Sequence, residues 1–241
     1  MMERTHFLAA LAKDPLQNMA MVQMERLKNF SRIVSHGTAA ALISKDEALI
    51  MVTAMEETDL TVLLSQMDQE QLKRTVIYVA KLSLKPIVEQ FAGKRHTDGY
   101  LQFTSPFDAL TPMTCPLPFY NITIEDAPFI YAHYGKGKEL GYEYILSRIQ
   151  DGPGLKAVAE DGSIAGFILT HEEGSLGMLE VLPKYRGKGI GPALEYAIAK
   201  EMDKRGLLVY SNVVEGNLNS IRIHQKLGFT LCKETVAWLD W

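Results

Sequence analysis

Val181-Leu-Pro-Lys-Tyr-Arg-Gly-Lys-Gly-Ile-Gly191 is the stretch on which the reading of this chain turns. An apolar strand, Met178 to Leu182, leads into it, and an amphipathic helix, Ile190 to Lys204, leads out. Between them the spacing Arg186-x-x-Gly189-x-Gly191 lets successive backbone N–H groups converge on one point. Unpaired amides at a helix N-terminus, with the positive end of the helix dipole behind them, hold phosphate. The outgoing helix carries Ile190, Leu194, Ala197, Ile198 and Met202 at the spacing of a core-facing stripe.

Working downstream, Leu207 to Val214 predicts a strand and Leu218 to Leu227 a helix ending at Gly228; Phe229 to Leu239 predicts the final strand. Upstream of the turn, Tyr120 to Ile124 reads as a short strand ending at the acidic helix start Glu125-Asp-Ala-Pro128, and Lys138 to Ile149 as a second helix. Leu155 to Glu160 and Ile164 to Thr170 flank Asp161-Gly162 as a hairpin, and Ser175 to Leu182 follows as a third strand. The order βααβββαβαβ is that of an α/β layered domain. The segment Ser105 to Pro118, with four prolines, reads as a linker between residues 1–104 and 119–241.

The first half repeats the pattern faintly. Thr38 to Ser44, Ala48 to Ala54, Thr75 to Ala80 and Tyr100 to Thr104 predict strands, and Asp59 to Met67 and Pro86 to Ala92 predict helices. This smaller α/β domain is a candidate degenerate copy of the second, but it lacks the glycine turn and so any expected phosphate chemistry. It would cover an acceptor pocket, provide a homodimer surface or complete the fold.

With 241 residues, 47% of them hydrophobic, the chain can bury one large core or two small ones. A net charge of −4, with no basic excess in either half, argues against nucleic acid and anionic membranes as partners. No apolar run approaches the roughly 20 residues of a membrane span. The start of the chain lacks the basic and apolar regions of a signal peptide, which leads to the expectation of a cytoplasmic protein. Cys115 and Cys232 form no disulfide framework and read as reduced and buried. No metal site is expected.

The glycine turn and a second motif, Asn217-x-x-Ser220-x-x-x-His224-x-Lys226-Leu-Gly-Phe229, resemble in order and spacing the two signatures of the GNAT N-acetyltransferase superfamily. Leu182-Pro-Lys-Tyr-Arg186 and Val209-Tyr-Ser211-x-Val213 further resemble its glycine N-acyltransferase branch. The resemblance implies a GNAT-type mixed sheet flanked by helices. It implies an acyl-CoA, acetyl-CoA foremost, bound where two parallel strands splay apart. Backbone groups of Leu179, Glu180 and Val181 would pair with the pantetheine arm. The N–H groups of Arg186, Gly187, Lys188, Gly189, Ile190 and Gly191 would hold the pyrophosphate, with Asn217 near the thiol. The reaction implied is direct attack by the amine of a small molecule or amino acid. A CoA-binding sensor without turnover, or an acetyltransferase acting on protein lysines or N-termini, are the alternatives.

Acyl transfer from a thioester to an amine needs a proton acceptor, a stabilised oxyanion and a proton for the departing thiolate. His224 stands where the family commonly has a tyrosine acid, and Tyr210 is a second candidate; a helix-face histidine and a packed strand tyrosine are the competing structural readings. Several branches place Glu or His as the base at the position aligned with Ser175. Serine is no base unaided, so Glu173 is the candidate, beside His171, Glu172, Glu180 or ordered water. Tyr131, His133, Tyr134, Tyr142 and Tyr144 lie where the family commonly lines the acceptor pocket, although aromatics at helical spacing also build cores.

Overall fold

The computed structural model describes residues 2–240. By contact the chain forms two units: Met1–Gln102 with Asn212–Asn217 and Leu231–Trp241, and Phe103–Ser211 with Leu218–Thr230. Each is a mixed α/β unit.

The first unit begins with helices α1 (Met2–Leu11) and α2 (Met19–Leu27). An antiparallel meander follows: β1 (Arg32–His36), β2 (Ala39–Ile43) and β3 (Leu49–Thr53). Helices α3 (Glu57–Ser65) and α4 (Gln69–Arg74) cross over to β4 (Val76–Val79), which runs parallel to β3. Helix α5 (Lys85–Ala92) and strand β5 (His96–Thr104) complete the first pass. β2 and β3 are buried at every position, the pattern of strands covered on both faces. Leu60, Leu63, Leu64, Leu72 and Val88 from the helices close the core against Ile50, Val52, Ile77 and Val79.

The second pass of regular structure starts at β6 (Phe119–Asn121), followed by α6 (Ala127–His133), α7 (Gly137–Leu140) and α8 (Tyr142–Asp151). β7 (Gly154–Val158), β8 (Ile164–Thr170) and β9 (Leu176–Val181) form its antiparallel meander. Helix α9 (Ile190–Lys204) crosses over to β10 (Tyr210–Val214), which runs parallel to β9. Helix α10 (Leu218–Leu227), β11 (Thr230–Leu231) and β12 (Val236–Asp240) end the chain. Helices, an antiparallel meander, a helical crossover to a parallel strand, a helix and a strand thus occur in the same order twice, with two helices before the meander in the first pass and a strand and three helices before it in the second. The faint echo in the sequence is a repeat of this core element order.

Successive residues of β8 face opposite layers. Phe167 and Leu169 join Ile130 of α6 and Ile145 of α8 in one cluster. A Cβ on Gly166 would lie 3.4 Å from Leu194 of α9, on the opposite side.

Several boundaries differ from the sequence reading. The helix expected over Lys138 to Ile149 is broken at Gly141, whose φ of 86° and ψ of 158° are not helical. The final strand is two pieces, β11 and β12. Residues 105–118, expected as a linker, lie within the second unit: the N–H of Ser105 donates to Val209 O and that of Thr111 to Leu227 O. Proline interrupts regular structure there without releasing the chain from its neighbours. Cys232 is buried, whereas Cys115 is only partly so, and both are free thiols. No helix among the described residues is long and apolar enough to cross a membrane.

Candidate functional site

The site grows from a bulge in β9. Gly166 pairs with Val181 and Phe167 with Glu180, but Leu169 pairs with Gly177, so β9 carries one residue more than β8 across this interval. Met178 takes up the surplus at φ 50°, a left-handed conformation uncommon outside glycine. Its side chain is nonetheless buried, in the cluster with Phe167 and Ile145. A non-glycine residue held in such a conformation marks a place where surrounding packing over-determines the backbone, as at many ligand sites.

On its other edge β9 meets β10 at one register position, Ser211↔Leu176. There the Ser211 hydroxyl also donates to Leu176 O at 3.0 Å. Beyond that point, among the described residues, Leu179, Glu180 and Val181 have no strand partner on this edge. The two parallel strands therefore form a fork closed at Leu176.

At the open end stands the glycine turn. Pro183–Tyr185 make a single 3-10 turn, and Gly187 and Gly189 follow at φ 76° and 77°. Around both glycines, nothing lies within 4 Å of where a Cβ would point. α9 begins at Ile190 with no side-chain cap; Pro192 lacks an N–H, and Ala193 already donates to Gly189 O. Among the described residues, no hydrogen bond engages the amides of Gly187, Lys188, Gly189, Ile190 or Gly191, whereas that of Arg186, expected to join them, closes the 3-10 turn by donating to Pro183 O at 3.3 Å. Five backbone donors at one helix N-terminus, beside open space, suit the diphosphate of a nucleotide thioester carrier. The Arg186 side chain turns away from the amides: Nε donates to Val181 O at 2.9 Å and Nη2 to Glu180 at 3.1 Å. Lys188 lies over the Tyr185 ring, its Nζ 5.5 Å from the centroid.

The residues before β9 form a tight polar turn. Ser175 Oγ donates to Glu173 Oε1 at 2.6 Å, and Tyr210 donates its hydroxyl to the Glu173 carbonyl at 2.7 Å. Ser175, Glu173 and Tyr210 are all buried. His171 packs its ring against Gly177, and its Nδ1 is 3.1 Å from the Tyr144 hydroxyl. Burial lowers the pKa of His171, outweighing the nearby Glu173 charge. Burial and then that same carboxylate raise the pKa of Tyr144, which stays protonated. Structure thus brings Glu173, Ser175 and Tyr210 together, with Tyr210 holding the turn.

His224 lies apart from this group. Its Nδ1 donates to Ser220 O at 2.8 Å, and its Nε2 stands 2.7 Å from Glu195 Oε1, out of line for a hydrogen bond but in Coulombic contact. Phe103 and Phe229 flank the ring at centroid distances of 4.8 and 4.9 Å. Burial alone would lower its pKa; the Glu195 charge and the Ser220 carbonyl more than offset this and raise it. Both nitrogens are engaged and the side chain is buried, which fits a packed imidazolium rather than an acid presented to a cleft. Asn217 stands just before α10 with its N–H donating to Val214 O. Of the aromatic group, Tyr131, Tyr134 and Tyr144 pack against the sheet-face cluster, Tyr142 meets Tyr131 edge to face, and His133 stacks on Phe129.

Sequence reasoning did not find Met178, because nothing in Leu-Gly-Met-Leu-Glu announces a bulge. Glu195 has a readable signal, a carboxylate on the buried side of α9. Among the described residues, no cluster of His, Cys, Asp and Glu could hold a metal ion.

Known proteins were compared with this chain. Residues 154–239 match the family model of FR47-like proteins. Rat glycine N-acyltransferase is 27% identical over 107 residues, 44% of this chain and 35% of that protein. The chain spans about a third of the length of the curated relatives it matches. A Drosophila protein of structural-genomics origin shares the fold at TM-score 0.73 and 17% identity, covering 97% of this chain and 90% of its own. A GCN5-related N-acetyltransferase from Kribbella flavida does so at TM-score 0.64 and 13% identity, covering 93% and 95%. Residues 154–239 thus match the FR47-like family, and the chain has the fold of GCN5-related N-acetyltransferases with two motifs that resemble that superfamily's signatures in order upon it.

Proposed function

We propose that the protein is an acyl-CoA-dependent N-acyltransferase that moves an acyl group, acetyl in the simplest case, onto the amine of a small molecule or amino acid. The observation that carries this reading is the set of five unengaged amides from Gly187 to Gly191 at the head of α9, adjoining the fork between β9 and β10. Those donors fit a diphosphate, and the edge of β9 at Leu179 to Val181, which has no strand partner although Arg186 Nε donates to Val181 O, fits an amide-bearing arm laid alongside it as an added strand. When bound, the co-substrate supplies an activated thioester. The chain supplies position: amides fix one end of the ligand and the fork aligns the other. The bulge at Met178 redirects the β9 backbone next to the fork, where its N–H groups can face a developing oxyanion.

A second reading is a CoA-binding module without turnover, and Ser175 favours it, since a hydroxyl stands where several branches of the superfamily keep a carboxylate or imidazole. One experiment separates the two. Calorimetry with CoA should show binding. Release of free thiol from acetyl-CoA and hexanoyl-CoA should then be followed with and without the twenty free amino acids and simple primary amines. Amine-dependent release establishes the enzyme; binding without release across that panel establishes the module.

A further inference from the structure

Glu173 is a buried carboxylate, 5% exposed, and among the described residues no cation forms an ion pair with it. Its side chain is held by Ser175 Oγ, at 2.6 Å. Burying a carboxyl group is costly, and a chain that only needed to close a turn would use a smaller or less polar residue. The turn around it is over-built for a solvated hairpin. Tyr210 fixes the Glu173 carbonyl, the Glu172 N–H reaches the Tyr144 hydroxyl, and the N–H groups of His171 and Gly174 close bonds to Ser175 O and His171 O. Ser175 adjoins Leu176, the residue at which the fork closes. The carboxylate sits one hydrogen bond behind the point the fork leads to.

We propose that Ser175 and Glu173 form a two-membered proton relay for the acyl transfer, with Ser175 touching the amine and Glu173 acting through it. This rests on the N-acyltransferase reading. An acceptor arriving as an ammonium passes one proton to Ser175 Oγ as the serine's own proton moves to Glu173 Oε1. The freed lone pair forms the N–C bond to the thioester carbonyl, and the C–S bond then breaks. Of the three ammonium protons, one stays on the amide, one leaves with the thiol, and one returns from Glu173 to solvent. No oxidant, reductant or metal is required. Charged and titratable groups around the carboxylate are His171 and Glu172 on its own turn, Tyr144 and Arg148 on α8, Lys136 just before α7, and Tyr210 on β10. His171 is held neutral by burial and Tyr144 stays protonated, and of the two carboxylates on the turn Glu173 is the one to which Ser175 Oγ donates.

The test uses the full chain, acetyl-CoA, and the best amine from the panel above. Glu173→Gln should lower kcat by about 100-fold, the lower end of general-base effects, while the Kd for CoA stays within about twofold and the acid limb of the kcat/KM profile disappears. Ser175→Ala should lower kcat by at least about tenfold with KM for acetyl-CoA unchanged. The exchange variant Glu173→Ser/Ser175→Glu keeps the composition of the turn and places the carboxylate directly at the fork. It should recover turnover to within about tenfold of wild type. A Glu173→Gln enzyme that turns over like the wild type overturns the relay alone. Loss of activity in all three variants with intact CoA binding also overturns it, by showing a structural role for the turn. A wild type that binds CoA but releases no thiol with any amine overturns the N-acyltransferase reading, and the relay with it.

Discussion

His224 Nε2 lies 2.7 Å from Glu195 Oε1 with both side chains sealed from solvent, an ion pair between α10 and α9 in the core of the second unit. Removing one member leaves the other charge buried and uncompensated, which costs more than the intact pair contributes. Glu195→Ala should therefore destabilise the fold by about 3–5 kcal/mol in urea denaturation. His224→Tyr, which supplies the residue common at this position in the superfamily, should not raise turnover, because the site it occupies is packed rather than open.

The same pair sets a pH dependence. The pKa of His224 is raised in the folded protein, so its contribution to stability is fully present below the unfolded value near 6.5 and is lost as pH climbs through the higher folded value. The difference in unfolding free energy between wild type and His224→Asn should shrink from pH 6 towards pH 9. A difference that grows over that range would show that the ring is neutral in the fold.

Gly189 holds φ at 77° with open space around its Cβ position, so the penalty for a side chain comes from backbone conformation and from the ligand rather than from crowding. Gly189→Asn, which tolerates the left-handed region, should fold normally and weaken CoA modestly. Gly189→Val should carry about 1–3 kcal/mol of strain and lose CoA binding in calorimetry. Lys188→Ala should change affinity by less than about tenfold, since the backbone supplies most of the contact.

One CoA should bind per chain. The first unit repeats the strand-turn-helix topology at β3 and α3, but the turn there is Ala54-Met-Glu-Glu57. Its Met55 and Glu56 amides already donate to Thr38 Oγ1, at 3.3 and 3.0 Å. Glu56, Glu57 and Asp59 would also repel a diphosphate. Calorimetric stoichiometry should be one; a value of two would mean that acidic turn also binds the carrier.

What was legible in the sequence was whatever has a strong local cause. α9 and α10 have the bounds that their glycine stops and apolar spacing imply, and β8 begins and ends where its apolar run does. The glycine turn is legible because only glycine takes positive φ without cost. The first 37 residues carried no such signal. α1 and α2 bury Phe7, Leu11, Met19, Met21 and Met24 against neighbours without setting them in a clean stripe, and β1 is a half-exposed strand. The roles of individual site residues depend on contacts distant in sequence. Tyr210 reaches Glu173 across 37 positions, and His224 meets Glu195 from another helix. The register slip that places Met178 arises from pairing with β8 and leaves no mark in β9 itself.

The claim on which the functional account depends is that the amides of Gly187 to Gly191 receive the diphosphate. An amide-resolved NMR titration with CoA tests it most directly. The account predicts that the N–H resonances of Gly187, Lys188, Gly189, Ile190 and Gly191 move downfield together and saturate at one equivalent. CoA binding that leaves those five resonances in place would contradict it.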